Sequence, residues 1–133
     1  MPRPPSVLPT TSELEILRVI WQRGPSTVRE VYRTLAADRE VGYSTVLKFM
    51  QIMTEKGLVL RDKRGRTHVY RAAQPEAQTQ RRLAGELMAR AFGGSARKLV
   101  AAALSSRRAT PAELDEIRKL IDEMTPPPKG GAS

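Results

Sequence analysis

Apolar side chains recur at three- and four-residue intervals through the N-terminal half of the chain. This spacing is typical of amphipathic helices. It predicts three of them, one beginning near residues 10–12, one beginning near residue 28 and one over 44–56. The apolar face of the first helix is formed by Leu14, Leu17, Ile20 and Trp21, and that of the second by Val28, Val31, Tyr32 and Leu35. The apolar face of the third helix is formed by Val46, Phe49, Met50 and Met53.

Local sequence patterns mark where these helices begin and end. Three pairs have the Ser/Thr-x-x-Glu spacing of a capping box: Thr10 with Glu13, Ser12 with Glu15, and Thr27 with Glu30. The first two pairs are alternative starts of the first helix, and the third pair starts the second helix. Gly57 follows the third helix at the position where a left-handed C-terminal cap is expected.

After Gly57 the pattern changes to two short runs that are rich in β-branched and aromatic residues. The runs LVLR and THVYR are typical of strands and are joined by DKRG, so they predict a β-hairpin. Three helices followed by a β-hairpin is the element order of a winged helix-turn-helix. In helix-turn-helix proteins the second helix of the pair lies in the major groove of DNA, and here that helix is 44–56.

From residue 74 onward aromatic residues nearly vanish and alanine becomes frequent. Apolar spacing predicts three further helices, over about 76–92, over about 95–106, and from Pro111 after a Thr110 cap. The fourth helix is predicted to turn four residues inward: Ala84, Leu87, Met88 and Ala91.

The predicted fold is mainly α with a small β-hairpin, an N-terminal winged helix-turn-helix followed by a C-terminal three-helix dimerisation region. The domain plan has four parts: a flexible arm over 1–9, a winged-helix DNA-binding domain over 10–73, a helical dimerisation domain over 74–124 and a flexible tail over 125–133. The two end segments are interpreted as loose because both are rich in proline.

The C-terminal helices total about 45 residues, which is below the size that usually sustains a hydrophobic core alone. Their apolar faces must be covered either by the winged helix of the same chain or by a second copy. A two-fold partner is the sharper prediction, because a two-fold protein matches two DNA half-sites. The residues predicted to form the dimer contact are Leu87, Leu99, Leu104, Leu114, Ile117 and Ile121.

Composition narrows the class of partner. The chain of 133 residues has a formal net charge of +9 and a pI of about 10.6, which favours an anionic partner such as nucleic acid or a lipid surface. Cysteine is absent, which excludes disulfides and thiolate metal sites. No apolar run approaches the ~18 residues of a membrane span, and MPRPPSVLP lacks the apolar region of a signal peptide. We therefore expect a cytoplasmic protein without membrane insertion.

The face of helix 44–56 away from its apolar stripe offers five side chains to solvent or to a ligand: Ser44, Thr45, Leu47, Lys48 and Gln51. Lysine suits the acceptors of guanine or a phosphate, and glutamine suits an adenine edge. Hydroxyl groups reach bases or phosphates, and an exposed leucine suits a thymine methyl group. An ordinary amphipathic helix with a solvated polar face would show the same pattern, so this helix alone does not decide between the two interpretations.

The hairpin adds a cluster of positive charge. Five basic residues lie within 61–71 against the single acid Asp62. Lys63, Arg64 and Arg66 gather at the glycine-bearing tip, where they repel one another without a counter-charge. A wing laid along a DNA backbone supplies that counter-charge and releases condensed ions. We therefore predict that these three residues contact DNA, although a solvated charged loop is the plainer alternative.

Groups suited to catalysis are scarce. The chain has no cysteine nucleophile, its only histidine is His68, and it has no glycine-rich phosphate loop. A single histidine does not make a metal site without partners, so His68 is interpreted as a structural residue or a phosphate contact. We predict no enzymatic activity, no metal and no cofactor.

Three functions from different classes share these features. A sequence-specific dimeric DNA-binding protein would discriminate its site from random DNA by ~10³–10⁷, whereas a non-specific architectural DNA-coating protein would have a ratio near one. A protein-interaction module would keep its binding at a salt concentration that abolishes DNA contact. A peripheral membrane role is the weakest option, because no helix combines a strong basic face with aromatic residues.

Four segments occur together in the order found in one known family: SELEILRVIW, STVREVYRTL, GYSTVLKFMQIMTEKGLV and KRGRTHVYRA. From about Leu8 to Met124 the chain resembles the penicillinase-repressor family, the BlaI/MecI/CopY group of bacterial transcriptional regulators. The resemblance implies a homodimeric winged-helix repressor of an inverted-repeat operator, often of TACA/TGTA type, with interlocking C-terminal helices. Carried over by position, the resemblance implies groove contacts from Ser44, Thr45, Leu47 and Lys48. It implies wing contacts from Arg64 and Arg66.

Two features of the family are missing from this chain. Members induced by β-lactams are cut at an Asn-Phe bond in the fifth helix, where this chain has GGSARKLVAAALSS. Copper-responsive members carry a C-terminal Cys-x-Cys pattern, and this chain has no cysteine. The resemblance therefore supports repression of operator DNA. It leaves open a membrane sensor protease as a further partner, and it does not extend to an inducing signal or to antibiotic resistance.

Overall fold

The computed structural model describes residues 8–127, so the predicted arm and tail lie mostly outside the described residues. Within this range six helices and two strands follow one another in the predicted order. They are α1 (Thr11–Arg23), α2 (Val28–Ala36), α3 (Tyr43–Lys56), β1 (Val59–Asp62), β2 (Val69–Ala72), α4 (Glu76–Ala91), α5 (Ala96–Ser106) and α6 (Pro111–Met124). None of the helices in this range combines the length and the apolarity needed to cross a membrane.

Both α1 and α2 begin at complete capping boxes. Thr10 Oγ1 accepts a hydrogen bond from Glu13 N at 3.3 Å, and Glu13 Oε1 accepts one from Thr10 N at 2.9 Å. Thr27 and Glu30 repeat the arrangement at 3.1 and 2.9 Å. These bonds satisfy N–H groups that have no partner within the helix, and they select the first of the two predicted starts of α1. Gly57 ends α3 with a φ of 80°, a conformation that favours glycine.

The hydrophobic core lies among α1, α2, α3 and the hairpin. Its buried side chains are Ile16, Leu17, Val19, Ile20, Val28, Val31, Val46, Met50, Met53, Leu58, Val59 and Tyr70. The predicted inner face of α3 is confirmed at Val46, Met50 and Met53, while Phe49 is only half-buried. α3 therefore has one rotational setting in which its apolar stripe is covered.

The predicted apolar face of α1 is partly wrong. Leu14 and Trp21 are half-buried, whereas Ile16 and Val19, which lie outside the predicted stripe, are buried. α2, α3 and β2 all pack on α1, so this helix buries a wider arc than a helix with a single neighbour. Trp21 Nε1 donates a hydrogen bond to the carbonyl oxygen of Gln74 at 3.0 Å, which ties the end of α1 to the segment that leaves the hairpin.

The hairpin is attached to the helices through the main chain. β1 and β2 are antiparallel, with Arg61 opposite Tyr70 and Asp62 opposite Val69. Ser26, in the turn between α1 and α2, pairs with Tyr70 through two hydrogen bonds, from Ser26 N to Tyr70 O at 2.9 Å and from Tyr70 N to Ser26 O at 2.8 Å. Both residues are buried. The root of the hairpin is therefore held by the same turn that starts α2.

A buried ion pair joins the start of α1 to the end of α3. Glu13 is 1% exposed, and its Oε2 accepts a hydrogen bond from Lys56 Nζ at 2.8 Å. Burial raises the pKa of Glu13, but the hydrogen bonds from Lys56 and Thr10 and the charge of Lys56 together outweigh burial. The pKa of Glu13 therefore lies below that of a free glutamate, and its ionised form holds the last turn of α3 against α1.

Contacts divide the chain into two compact units inside α4, between Glu86 and Leu87. In the first unit, Thr79 of α4 is buried; in the second, α5 and α6 have no buried residue. Four α4 residues were predicted to turn inward. Of these, Ala84, Leu87 and Ala91 are exposed, and Met88 is half-buried. The single chain leaves this face largely exposed, so its inward packing stays a prediction.

Replacing Lys56 of the Glu13–Lys56 pair is expected to destabilise the first unit more than replacing Glu13. Lys56→Met leaves a carboxylate buried without a cation and should lower the free energy of unfolding by about 3 kcal/mol. Glu13→Gln should cost only about 1 kcal/mol, because the side chain of Lys56 is 30% exposed and can turn to water. Urea unfolding at pH 7 measures both values.

The same pair predicts a pH dependence. Because the pKa of Glu13 is lowered in the folded protein, its stabilisation is complete above the pKa of an unfolded glutamate and is lost as the pH falls through the folded value. The stability difference between the wild type and Lys56→Met should narrow as the pH is lowered from about 5 to about 3, the range in which the stabilisation by ionised Glu13 is lost. A difference that stays constant over this range would contradict the assigned role of Glu13.

Candidate nucleic-acid interface

α3 presents a polar surface because its opposite side is fully buried. Val46, Met50 and Met53 have at most 1% exposure. Their packing turns four of the predicted groove residues to solvent, and we call these the outer face of α3: Ser44, Thr45, Lys48 and Gln51. The helix periodicity thus places hydroxyl, ammonium and amide groups side by side on one surface.

Leu47 differs from its predicted state. We expected an exposed apolar residue, but Leu47 is half-buried and packs against the core. Part of its surface lines a depression between α3 and the hairpin. The prediction of an exposed leucine is therefore wrong, because Leu47 packs partly against the core, and periodicity alone does not reveal this packing.

This depression, which we call the wing groove, has a volume of about 390 Å³. It is lined by Thr27, Val28 and Arg29 at the start of α2, by Tyr43 and Leu47 of α3, and by Arg66, Thr67, His68 and Tyr70 of the hairpin. The Ser26–Tyr70 main-chain pairing brings the hairpin next to α2 and so forms one wall. The groove joins hydroxyl groups, two guanidinium groups and the imidazole of His68 beside the outer face of α3.

Aromatic stacking holds the entrance to this groove. The guanidinium carbon of Arg29 lies 5.2 Å from the centre of the Tyr43 ring. The Tyr43 ring meets that of Tyr32 edge to face, with centroids 5.6 Å apart and an interplanar angle of 77°. Edge-to-face rings and a cation over a ring face are both attractive arrangements. The stack therefore fixes the first residue of α3 and orients Arg29 without using a carboxylate.

The first turn of α3 is open to an anion. Its N-terminal cap is Gly42, which has no side chain to bond the free N–H groups, and the first turn contains no acidic residue. α1 and α2, in contrast, each have a threonine side chain as N-terminal cap and a glutamate in the first turn. Because the N-terminal end of a helix carries partial positive charge, the start of α3 adds to the attraction of the neighbouring cations.

The tip of the hairpin carries its own counter-charge, contrary to the prediction that it is self-repelling. Asp62 Oδ2 lies 2.8 Å from Arg64 Nη2, and the Arg64 side chain is still 92% exposed. Hydrogen bonds from the Arg64 side chain and backbone lower the pKa of Asp62 to about 2. Within residues 8–127, Lys63 and Arg66 are exposed and have no carboxylate partner. The tip thus combines one paired arginine with two unpaired cations.

Six residues of the wing groove were not predicted as site residues: Thr27, Val28, Arg29, Tyr43, Thr67 and Tyr70. Tyr43 lies just before the predicted helix 44–56 and directly precedes the two hydroxyl residues of the outer face. Arg29 lies in the first turn of the helix that precedes α3. Because this helix is the first of the helix-turn-helix pair, the position of Arg29 at its start was the signal in the sequence that could have predicted it as a site residue.

The second unit has a different kind of surface. The residues predicted to form a dimer contact are exposed or half-buried, with Leu87 49%, Leu104 38% and Ile121 55% exposed and Leu99, Leu114 and Ile117 half-buried. Val100, Leu120 and Met124 are also exposed. Apart from Tyr43, every exposed large apolar side chain of the described residues lies in this unit. Its helices therefore carry an uncovered apolar surface.

Comparison with known proteins identifies the family. A family model described as Penicillinase repressor matches residues 9–123. The chain belongs to the penicillinase repressor family. Two proteins named Transcriptional regulator BlaI, from the CDC 1551 and H37Rv strains of Mycobacterium tuberculosis, are each 28% identical to it over 127 residues, which covers 91% of both chains. The solution structure of the DNA binding domain of the repressor BlaI is 26% identical, with a TM-score of 0.48, and the match covers 58% of this chain and 92% of that one.

Membership of the penicillinase repressor family confirms the main predictions from the sequence. The protein is a BlaI-like transcriptional repressor and not an enzyme. The mainly α winged helix-turn-helix architecture is confirmed as well. The roles of individual residues on α3, on the hairpin and on the C-terminal helices stay predictions.

The stack at the entrance of the wing groove can be tested by a pair of substitutions. Tyr43→Leu removes the ring and should lower the free energy of unfolding by about 1–2 kcal/mol, the sum expected for an edge-to-face pair and an exposed cation–π contact. Tyr43→Phe keeps the ring and should change it by less than about 0.5 kcal/mol. Equal losses in urea unfolding would show that the hydroxyl group, and not the stack, is responsible.

Proposed function

We propose that the protein is a homodimeric repressor that binds an inverted-repeat operator, with α3 in the major groove and the hairpin on the DNA backbone. The observation that carries the proposal is the position of the outer face of α3 directly beside the wing groove. Helix-turn-helix proteins read base edges from such a helix. Lys48 and Gln51 would reach guanine and adenine edges, and Ser44 and Thr45 would reach bases or phosphates.

The proposed backbone contacts come from the wing groove and from the tip of the hairpin. Arg29, Arg66 and His68 line the groove, so a DNA strand passing beside α3 would meet them together. Lys63 would bind a phosphate at the tip. Such contacts set register and affinity without reading sequence.

The second copy of the chain would bind through the second unit. α5 and α6 have no buried residue, and a helical unit without a core of its own needs another apolar surface. An isologous contact through Leu87, Leu104 and Ile121 would cover these side chains in both copies. It would also place two α3 helices for two half-sites. Because its proposed partner is operator DNA, the dimer would act in the cytoplasm.

The Asn-Phe cleavage of the β-lactam-induced members does not carry over to this chain. The chain contains no asparagine, so a membrane sensor protease acting on it would have to cut a bond other than Asn-Phe. The alternative of a non-specific architectural DNA-binding protein uses the same charges. It is separated from the repressor by the ratio of affinities for operator and random DNA.

Substitutions on α3 and in the wing groove should have different effects on DNA binding. In gel shifts on the region upstream of its own gene, Lys48→Ala should cost ~1–3 kcal/mol of discrimination against a scrambled duplex. Arg66→Ala should weaken binding to both duplexes alike and reduce the slope of log K against log salt by about 0.9. Arg18→Ala, which removes an exposed cation from α1, is the control and should do neither. Equal wild-type affinity for both duplexes would refute the repressor.

The dimer is tested by a charge in the uncovered apolar surface. Ile121→Asp should give monomers in sedimentation experiments and much weaker operator binding, because a carboxylate is costly to bury in an apolar contact. Ile121 is 55% exposed in the single chain, so the substitution should spare the fold of the chain. Arg118→Gln, exposed on the same helix, changes the charge equally and should remain dimeric. A wild type that is monomeric at micromolar concentration and still binds tightly would contradict the proposal.

A further inference from the structure

The acid at the hairpin tip has a geometry that a solvated loop does not require. Asp62 is the last residue of β1. Its Oδ1 accepts hydrogen bonds from Arg64 N and Arg64 Nε, both at 3.0 Å. Its Oδ2 accepts from Arg64 Nη2 at 2.8 Å. One carboxylate thus fixes both the backbone turn after β1 and the direction of the following guanidinium group.

The pairing uses a particular edge of the arginine. Asp62 occupies the Nε–Nη2 edge, so the Nη1–Nη2 edge is the one left for a further ligand. That second edge can donate two parallel hydrogen bonds to a phosphate or to the two acceptors of guanine. Because the side chain of Arg64 is 92% exposed, a ligand can approach this edge from solvent.

Holding Arg64 in this way affects matched and unmatched DNA differently. A free arginine loses rotamer freedom when it binds, and Arg64 has already lost part of it to Asp62. Its remaining edge points in a defined direction, which favours a duplex whose acceptors lie there. The carboxylate also offsets one positive charge that would otherwise attract the backbone of any sequence.

We propose that Asp62 is a positioning residue for operator discrimination, which acts by holding Arg64 along one edge and by cancelling one charge at the hairpin tip. This inference rests on the proposed repressor function. It predicts that removal of the Asp62 charge strengthens binding to random DNA and reduces the preference for the operator.

Asp62→Asn tests the inference most directly, because the amide oxygen can still accept from Arg64 N while the charged pair is lost. The probes are the duplex that the wild type enriches from a randomised library and a scrambled duplex of the same composition. Discrimination between them should fall roughly twofold to fivefold, the range expected for an exposed ion pair. For the scrambled duplex the salt slope should steepen by about 0.9. Asp38→Asn, an equal charge change in the segment after α2, should leave discrimination unchanged.

A double-mutant cycle separates positioning from charge alone. In an Arg64→Ala background, Asp62→Asn should change discrimination much less than in the wild type, because the guanidinium group that Asp62 positions is absent and only the effect of its charge remains. An equal change in both backgrounds, or no change in the wild-type background, would overturn the inference. Arg64→Lys keeps the charge but not the two-point pairing, and it should lose discrimination to a similar extent. This variant also provides the test if Asp62→Asn does not fold. A wild type that enriches no duplex at all would instead refute the repressor function.

Discussion

The burial of one side of α3 determines what its other side offers. Val46, Met50 and Met53 are enclosed by the core, so the helix cannot rotate without exposing them. Its ends are held by separate interactions, the stack of Tyr43 on Arg29 at the start and the Lys56–Glu13 ion pair at the end. The outer face is therefore oriented before any ligand arrives, which reduces the ordering that binding requires.

The net positive charge of the chain is not equally available over its surface. Arg23 forms an ion pair with Glu30 at 3.2 Å, Arg39 with Glu15, and Lys119 with Asp115 at 3.6 Å. Within the described residues, Lys48, Lys63 and Arg66 have no such partner. Charges already matched by a carboxylate attract a polyanion less than unmatched ones do. The cations on α3 and the hairpin are thus among those left free to meet an acidic partner.

Local patterns in the sequence predicted the elements well, because the interactions that start and end helices lie within a few residues. The Thr10–Glu13 and Thr27–Glu30 boxes and the Gly57 cap all involve neighbours along the chain. Predictions that needed tertiary information were less accurate. Leu47 was expected to be exposed, because periodicity does not show that its side chain packs partly against the core.

The remaining errors have the same origin. The repulsion expected at the hairpin tip did not take into account the turn that brings Asp62 against Arg64. The width of the buried face of α1 depends on its three packing neighbours, which the sequence of α1 alone does not reveal. In the second unit, the spacing of apolar residues located an apolar stripe but did not show which surface packs against it. Whether such a stripe meets the same chain or another copy is a property of the assembly rather than of the helix.

The main-chain pairing of Ser26 with Tyr70 has a consequence for how this surface can diverge. Because the bonds join backbone atoms, they do not depend on which side chains follow in the loop. The loop residues 63–68 are all exposed, so their charge and shape can change while the frame beneath them stays intact. A lineage of such proteins can therefore acquire new partner preferences at the loop without rebuilding the fold.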